Sequence, residues 1–257
     1  MNIVVLLKQT FDTEAKITLN SSGKIDGNGA NLVINPYDEF AVEEALKLKE
    51  KFGGEVTIVS MGGERVQESI RTALAMGADQ AVHVNDPALT DPDEWVTAEI
   101  LAKAVAQIPY DIILAGRIAV DDGSSQVAVR IADALNIPSI SSVLKLEVED
   151  GKAEATREID GGTETLDVSL PAVFTAQKGL NVPRYPTMMG IMKAKKKEIK
   201  VLALADLGLS AADLQSKMSA PKFSLPNPRK GGTKIAGEAA DAARELARLL
   251  REEAKVI

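Results

Sequence analysis

The sequence predicts an α/β protein: a parallel sheet covered by helices, extended by antiparallel strands and ending in an arm and a helix. Three observations carry that prediction. Short apolar runs alternate with stretches of helical spacing through the first half of the chain, the pattern of strands joined by crossover helices. After Ser142 the texture changes to apolar–polar alternation broken by turn pairs. Aromatic residues are only 4% of the 257, which leaves the core to Ala, Val, Ile and Leu, as in sheets buried on both faces.

Taken in order, Ile3–Leu7, Val56–Val59, Ala81–Val84 and Ile112–Ala115 read as buried strands. Between them Tyr37–Phe52, Glu64–Met76 and Glu94–Gln107 place apolar residues at helical intervals, and a fourth helix is expected over Ser125–Leu135, with Pro138 preventing its continuation. Asp150-Gly151 and Gly161-Gly162 mark hairpin turns, followed by a buried strand at Ala172–Thr175. In GLNVPRYPTMMGIMKAKKKEIKVL, Pro183, Pro186 and Gly190 argue against a regular helix through Met189, so the segment reads as a long, functional loop. Pro221, Pro226, Pro228, Gly231 and Gly232 describe an extended arm. Beyond it Ala236–Lys255 is an amphipathic helix with Leu246, Leu249 and Leu250 on one side.

Composition narrows the function. With 30 Lys+Arg against 37 Asp+Glu the net charge is −7, which argues against a general nucleic-acid coat. The absence of Cys excludes disulfides and thiol chemistry. The opening MNIVVLLKQ is apolar for too few positions to be a signal-peptide core or a membrane span. No phosphate-loop, dinucleotide or nucleophile-elbow motif occurs, and the one His, His83, lies in the strand-like AVHVN and reads as a packed residue. Such a chain is expected to bind a group that brings its own chemistry.

The stretch DIILAGRIAVDDGSSQVAVRIADAL is the most informative. A strand ends at Gly116, a polar loop holds Asp121, Asp122, Gly123, Ser124 and Ser125, and a helix begins near Ser125–Gln126. Two readings stand: a backbone cradle for phosphate at the helix start, or a helix capped by Ser124 or Ser125. Position at the carboxyl end of a strand, where ligands of open parallel sheets bind, favours the cradle. Asp121 and Asp122 are expected to hold the loop by accepting hydrogen bonds. Lys8, Met61-Gly62-Gly63 and Asn35-Pro36-Tyr37-Asp38 belong to the same rim. Lys193, Lys195, Lys196 and Lys197 read as a solvated face, and the preceding Met188, Met189, Ile191 and Met192 as either an adaptable interface or residues tucked into the core.

At these residues the chain resembles the electron transfer flavoprotein beta-subunit family. The resemblance is carried by NPYDEFAVEEALKLKE, ESIRTALAMGAD, DIILAGRIAVDDGSSQ, REIDGGTETL and NVPRYPTMMGIMKAKKK, in family order along nearly the whole length. The last is close to the family pattern N-x-P-R-Y-x-T-L-P-N-I-M-K-A-K-K-K. The resemblance implies a Rossmann-like fold of the adenine-nucleotide-binding type and a subunit with no catalytic residues of its own. Its partners would be an alpha subunit that holds most of the FAD, flavin dehydrogenases of the acyl-CoA dehydrogenase type, and a quinone-linked acceptor. No metal, nucleic acid or membrane insertion is implied.

Carried over by position, an AMP site would comprise Leu6, Asn35, Pro36, Tyr37, Asp38, Met61, Gly116, Asp121, Gly123, Ser124, Ser125, Gln126 and Val127, with the phosphate on residues 124–127. Thr13 and Tyr37 would approach the alpha subunit's FAD. Arg184, Tyr185, Met188, Met189, Ile191 and Met192 would recognise the dehydrogenase, Met188 standing where the family has an anchoring Leu and Met189-Gly190 replacing Pro-Asn. The expected division is a nucleotide-binding domain over residues 1–220, including the recognition loop 178–197, and an arm with helix over 221–257 that docks on the alpha subunit. A cytoplasmic location is expected if the source is bacterial; no transit peptide points to mitochondria. One alternative is a bifurcating relative with a second FAD in place of AMP, from which Asp122 and Ala128 lean away. Another is a stand-alone adenine-nucleotide sensor.

Overall fold

A computed structural model describes all residues except 211, 213, 219–221 and 229–230. Parts of the proline-rich arm read from the sequence, Pro221 among them, therefore lie outside the described residues. The chain divides into two compact units, residues 1–17 with 27–221, and residues 18–26 with 222–257.

The first unit is built on a mixed sheet. In chain order its elements are β1 (Asn2–Leu6), β2 (Gln9–Phe11), β3 (Leu32–Ile34), α1 (Pro36–Phe52), β4 (Glu55–Met61), α2 (Val66–Met76), β5 (Gln80–Val84), α3 (Glu94–Val105), β6 (Ile112–Gly116), α4 (Val127–Ala134), β7 (Ser139–Glu149), β8 (Lys152–Ile159), β9 (Gly162–Ser169), β10 (Ala172–Ala176), α5 (Met188–Ala194), β11 (Lys200–Leu202) and a 3-10 turn, Leu204–Leu207. Strand order across the sheet is β11-β5-β4-β1-β6-β10-β7-β8-β9. Pairing is parallel from β11 to β7 and antiparallel through β8 and β9. β2 and β3 form a separate antiparallel pair.

The continuous apolar runs follow from burial on both faces. Ile3, Val5, Val56, Ile58, Ile112, Leu114 and Phe174 pack with α1 and α2 residues such as Val42, Leu46, Ile70 and Leu74. Their strand neighbours Val4, Leu6, Val59, Val82, Ile113 and Val173 pack with Val96, Ile100 and Ile131 of α3 and α4 on the other side. Successive side chains of a strand point to opposite faces, so a strand covered twice is apolar at most of its positions. Pro36 occupies the first turn of α1, where its missing N–H costs nothing.

Two sequence expectations need correction. The second hairpin turns on Asp160-Gly161, because Ile159 pairs with Gly162; Gly162 already belongs to β9. The first turns where expected, with Asp150 and Gly151 both at positive φ (48° and 76°). The segment read as a long loop contains α5, whose first residue is Met188, capped by the Thr187 hydroxyl accepting from the Gly190 N–H at 3.0 Å. Gly190 is tolerated inside that helix because a Cβ there would overlap the carbonyl oxygen of Ala75 in α2.

The second unit contains α6 (Ala239–Glu252) and a Leu19–Ile25 bridge. No residue of α6 is buried, and Arg248 pairs with Glu245 and Glu252 along its polar side.

Candidate functional site

The carboxyl ends of β1 and β6 meet the start of α1, and a buried carboxylate joins the three. Asp38 accepts from the Lys8 N–H at 2.7 Å, the Gly116 N–H at 2.9 Å and the Asn35 amide at 2.9 Å. Burial pushes its carboxyl up to about 7, against the pull of those donors and of the Lys8 charge. The Asn35 amide also donates to the Ile118 carbonyl, and its oxygen accepts from the Val120 N–H. Gly116 is required here: a Cβ would lie 2.8 Å from the Tyr37 Cβ and overlap the Asp38 carboxylate. Thus Asn35, Asp38 and Gly116, all expected around a nucleotide, are held together, but the two polar side chains spend their hydrogen-bonding capacity on the frame.

The loop after Gly116 is tied to β1 by Lys8, whose ammonium reaches Asp121 at 2.8 Å and Asp122 at 2.6 Å. Burial opposes the charge on Lys8, yet the two carboxylates hold its pKa above the ordinary value. Burial likewise opposes charge on Asp122, and Lys8 with the Ser124 N–H holds that carboxyl below its ordinary range. The acidic pair therefore shares one cation, which offsets part of its charge, while accepting backbone hydrogen bonds, as expected for Asp121 and Asp122.

Neither Ser124 nor Ser125 caps α4, which corrects one of the two sequence readings. The cap position is Gln126, and no side chain bonds there. Gly123 (φ 68°) and Ser125 (φ 54°) both adopt left-handed backbone, and the serines stop short of the capping position. The helix itself starts at Val127 rather than at Ser125–Gln126. A helix leaves its first N–H groups without intrahelical partners, and with no capping side chain they are available to an anion. The Gln126 side chain is held by Arg130 at 2.8 Å, which brings a cation to the same turn. The donor set of backbone N–H groups and two hydroxyls, with the nearby acids turned to Lys8, fits a phosphate.

Other expected residues are distributed around this frame. Leu6 is buried in the sheet core, so it offers a ligand only its backbone. Met61, Pro36 and Tyr37 are half-buried, and Thr13 is exposed in the turn after β2. His83 is fully buried, its Nε2 2.8 Å from the Gly62 carbonyl oxygen, as expected of a packed strand residue. A cavity of about 420 Å3 sits at the opposite, amino end of the strands, bordered by Met1, Phe52, Asp111 and Pro171, and has no part in this rim. Among the described residues no group of acidic or His side chains could hold a metal ion, and no helix is long and apolar enough to cross a membrane.

A second concentration of expected residues lies at 181–197, and its backbone is fastened at several points. Asn181 donates to the Phe40 carbonyl and to Glu44, both at 2.9 Å. Arg184 grips Glu43 at 2.8 and 2.9 Å and Glu50 at 2.5 Å, all on α1. Those carboxylates hold its guanidinium above the ordinary value. Arg71 of α2 donates to the carbonyls of Ala194 and Lys197 at the end of α5. Against this fixed backbone Tyr185, Met188, Met189 and Met192 project, 91%, 79%, 66% and 67% exposed. The methionines are therefore not tucked into the core, and Arg184 serves as a fastener of the segment. Buried Glu43 and Glu44 on the covered side of α1 are the sequence signal that could have found those fasteners, since a buried carboxylate demands a partner.

Comparison with known proteins assigns the chain to a family. The electron transfer flavoprotein domain model matches residues 22–207. The chain is 48% identical to the electron transfer flavoprotein subunit beta of Bacillus subtilis, over all of both chains. It is 46% identical to that of Syntrophomonas wolfei, covering all of this chain and 98% of the relative. With the subunit of Bos taurus it shares 40% identity over 91% of this chain and 92% of the relative.

Proposed function

The chain belongs to the electron transfer flavoprotein family as a beta subunit, an electron-transfer protein and not a catalyst, and on that premise we propose that it is the scaffold on which a dehydrogenase meets an alpha-subunit flavin. In this reading the rim at residues 116–127 holds AMP as a structural ligand. The observation that carries it is the uncapped start of α4 beside acids already paired to Lys8. The Ser124 and Ser125 hydroxyls and the first N–H groups of α4 receive the phosphate, while Tyr37 and Thr13 face the partner's flavin. FAD bound by the alpha subunit supplies the redox chemistry. This chain's residues position and exclude; they move no proton.

Segment 181–197 is the docking surface for a flavin dehydrogenase of the acyl-CoA dehydrogenase type, with Met188 as anchor. The fastened backbone and projecting apolar side chains support that assignment, since a rigid anchor loses little freedom on binding. A quinone-linked oxidoreductase takes the electrons onward. The arm and α6 embrace the alpha subunit through the face that carries Leu246, Leu249 and Leu250; that no α6 residue is buried supports this. In a bacterial source the complex works in the cytoplasm.

The test is to co-express the chain with its alpha subunit, denature the purified complex and separate the released nucleotides. Equimolar FAD and AMP is the expected result. Twice as much FAD with no AMP would instead mean a second flavin on the residue 124–127 cradle, and a chain that purifies without a flavin-bearing partner would overturn the assembly. Co-expression of a chain ending at Ser224 should leave the alpha subunit uncaptured.

A further inference from the structure

We propose that α5 is an oxidation-sensitive docking site, in which peroxide converts Met188, Met189 and Met192 to sulfoxides and uncouples the protein from its dehydrogenase until the sulfoxides are reduced. The inference rests on the docking role given above to segment 181–197.

Three of the seven methionines fall within five residues, and all three are at least 66% exposed, whereas Met76 on the neighbouring α2 is 8% exposed. Their exposure is imposed by the helix that carries them. Gly190 lets the α5 backbone lie directly against the Ala75 carbonyl, Arg71 ties down the helix end, and buried Ala194 marks its inner side. α5 therefore has no room to roll its thioethers inward. The residue choice points the same way. The run T-M-M-G-I-M-K, residues 187–193, gathers three thioethers at the anchor.

The chemistry is a two-electron oxygen transfer. A sulfur lone pair attacks one oxygen of hydrogen peroxide, the S–O bond forms as the O–O bond breaks, and the departing hydroxide takes the proton of the transferred oxygen to leave as water. The sulfur is oxidised and the peroxide reduced. Reduced flavins form hydrogen peroxide with dioxygen, so the oxidant arises where this protein works. A flexible apolar side chain becomes a polar one, and burying that dipole in an apolar pocket without a partner opposes docking. Sulfoxide reductases, one for each epimer, with thiols as reductant, reverse the change.

The test uses the full heterodimer, with its alpha subunit, treated with hydrogen peroxide and mapped by peptide mass spectrometry. Met188, Met189 and Met192 should gain one oxygen each while Met76 does not. Flavin reduction driven by an acyl-CoA dehydrogenase with butyryl-CoA should slow roughly tenfold or more, reduction by dithionite should not change, and treatment with both sulfoxide reductases should restore the rate. A triple Met188→Leu, Met189→Leu, Met192→Leu protein should keep its rate through peroxide treatment. Met218, 63% exposed, is the internal control: Met218→Leu should not protect. Oxidation of the three residues with no loss of rate, or loss of rate that the triple variant still suffers, overturns the proposal. Failure of the docking reading is distinguishable: unoxidised Met188→Ala would then reduce as fast as the parent.

Discussion

The rim at residues 116–127 and the segment at 181–197 are built by opposite means. At the rim, side chains are consumed internally: Asp38, Asn35, Lys8, Asp121 and Asp122 all bond to the frame, and the chemistry left for a ligand is mostly backbone N–H and serine hydroxyl. In the segment the backbone is consumed, held by Arg71, Arg184 and Asn181, and the side chains are left outside. A ligand with fixed oxygen geometry suits the first, because N–H groups at a helix start have fixed directions. A protein surface suits the second, because thioethers adapt in shape. Damage should then separate cleanly, with rim substitutions lowering stability or nucleotide retention and segment substitutions lowering rates of exchange with a partner.

The largest effect is expected from Asp38→Ala, which strands three donors. It should lower the stability of the heterodimer by about 3 kcal/mol in equilibrium denaturation and release the nucleotide; a loss within noise would break the contrast. The same carboxyl gives the contrast a pH dependence. Its folded pKa, about 7, lies above the ordinary 3.8, so the folded state binds the proton more tightly. The associated stability is complete below about 3.8 and fades as pH rises through about 7. Denaturation midpoints across that window should show the decline, and Asp38→Asn should flatten it.

Gly116→Ala comes next, at about 2 kcal/mol, because the added methyl must push α1 away from β6; a crystal structure of the variant would show Tyr37 displaced. Lys8→Met should leave stability nearly unchanged, since its ion pairs are part-exposed and screened. It should still weaken AMP retention roughly fivefold by exposing two carboxylates to the phosphate, measured by nucleotide release after dialysis. Smallest in stability is Met188→Glu, within about 0.5 kcal/mol of the parent. Its dehydrogenase-driven flavin reduction should nevertheless slow roughly tenfold or more in stopped flow, with flavin content intact. If Met188→Glu instead lost nucleotide or stability, the two regions would not be separate devices.

Most of the sheet was legible because strands covered on both faces leave uninterrupted apolar runs, as in Ile3–Leu7 and Ile112–Ala115. The three-residue strands β2, β3 and β11 were not, since so short a stretch has no period to detect. α5 was hidden by its own glycine: local propensity spoke against Gly190 in a helix, while the close approach of α2 required it. The residues read as one rim do come together, but serine capping failed because Gly123 and Ser125 take left-handed backbone, a conformation composition does not announce for Ser. Lys8 was placed on the rim, yet its pairing with Asp121 and Asp122, 113 and 114 residues away, is visible only once β1 and β6 lie side by side.

That adjacency also orders events on the ribosome. β1 is the first strand synthesised and sits between β4 and β6, so one of its edges stays unpaired until residue 116 has emerged. β11, made last, must travel back to the far edge beside β5. A nascent chain stalled after α4 would hold the rim's β1, β4 and β6 but neither β10 nor β11, with β6 presenting an open apolar edge of the kind chaperones bind.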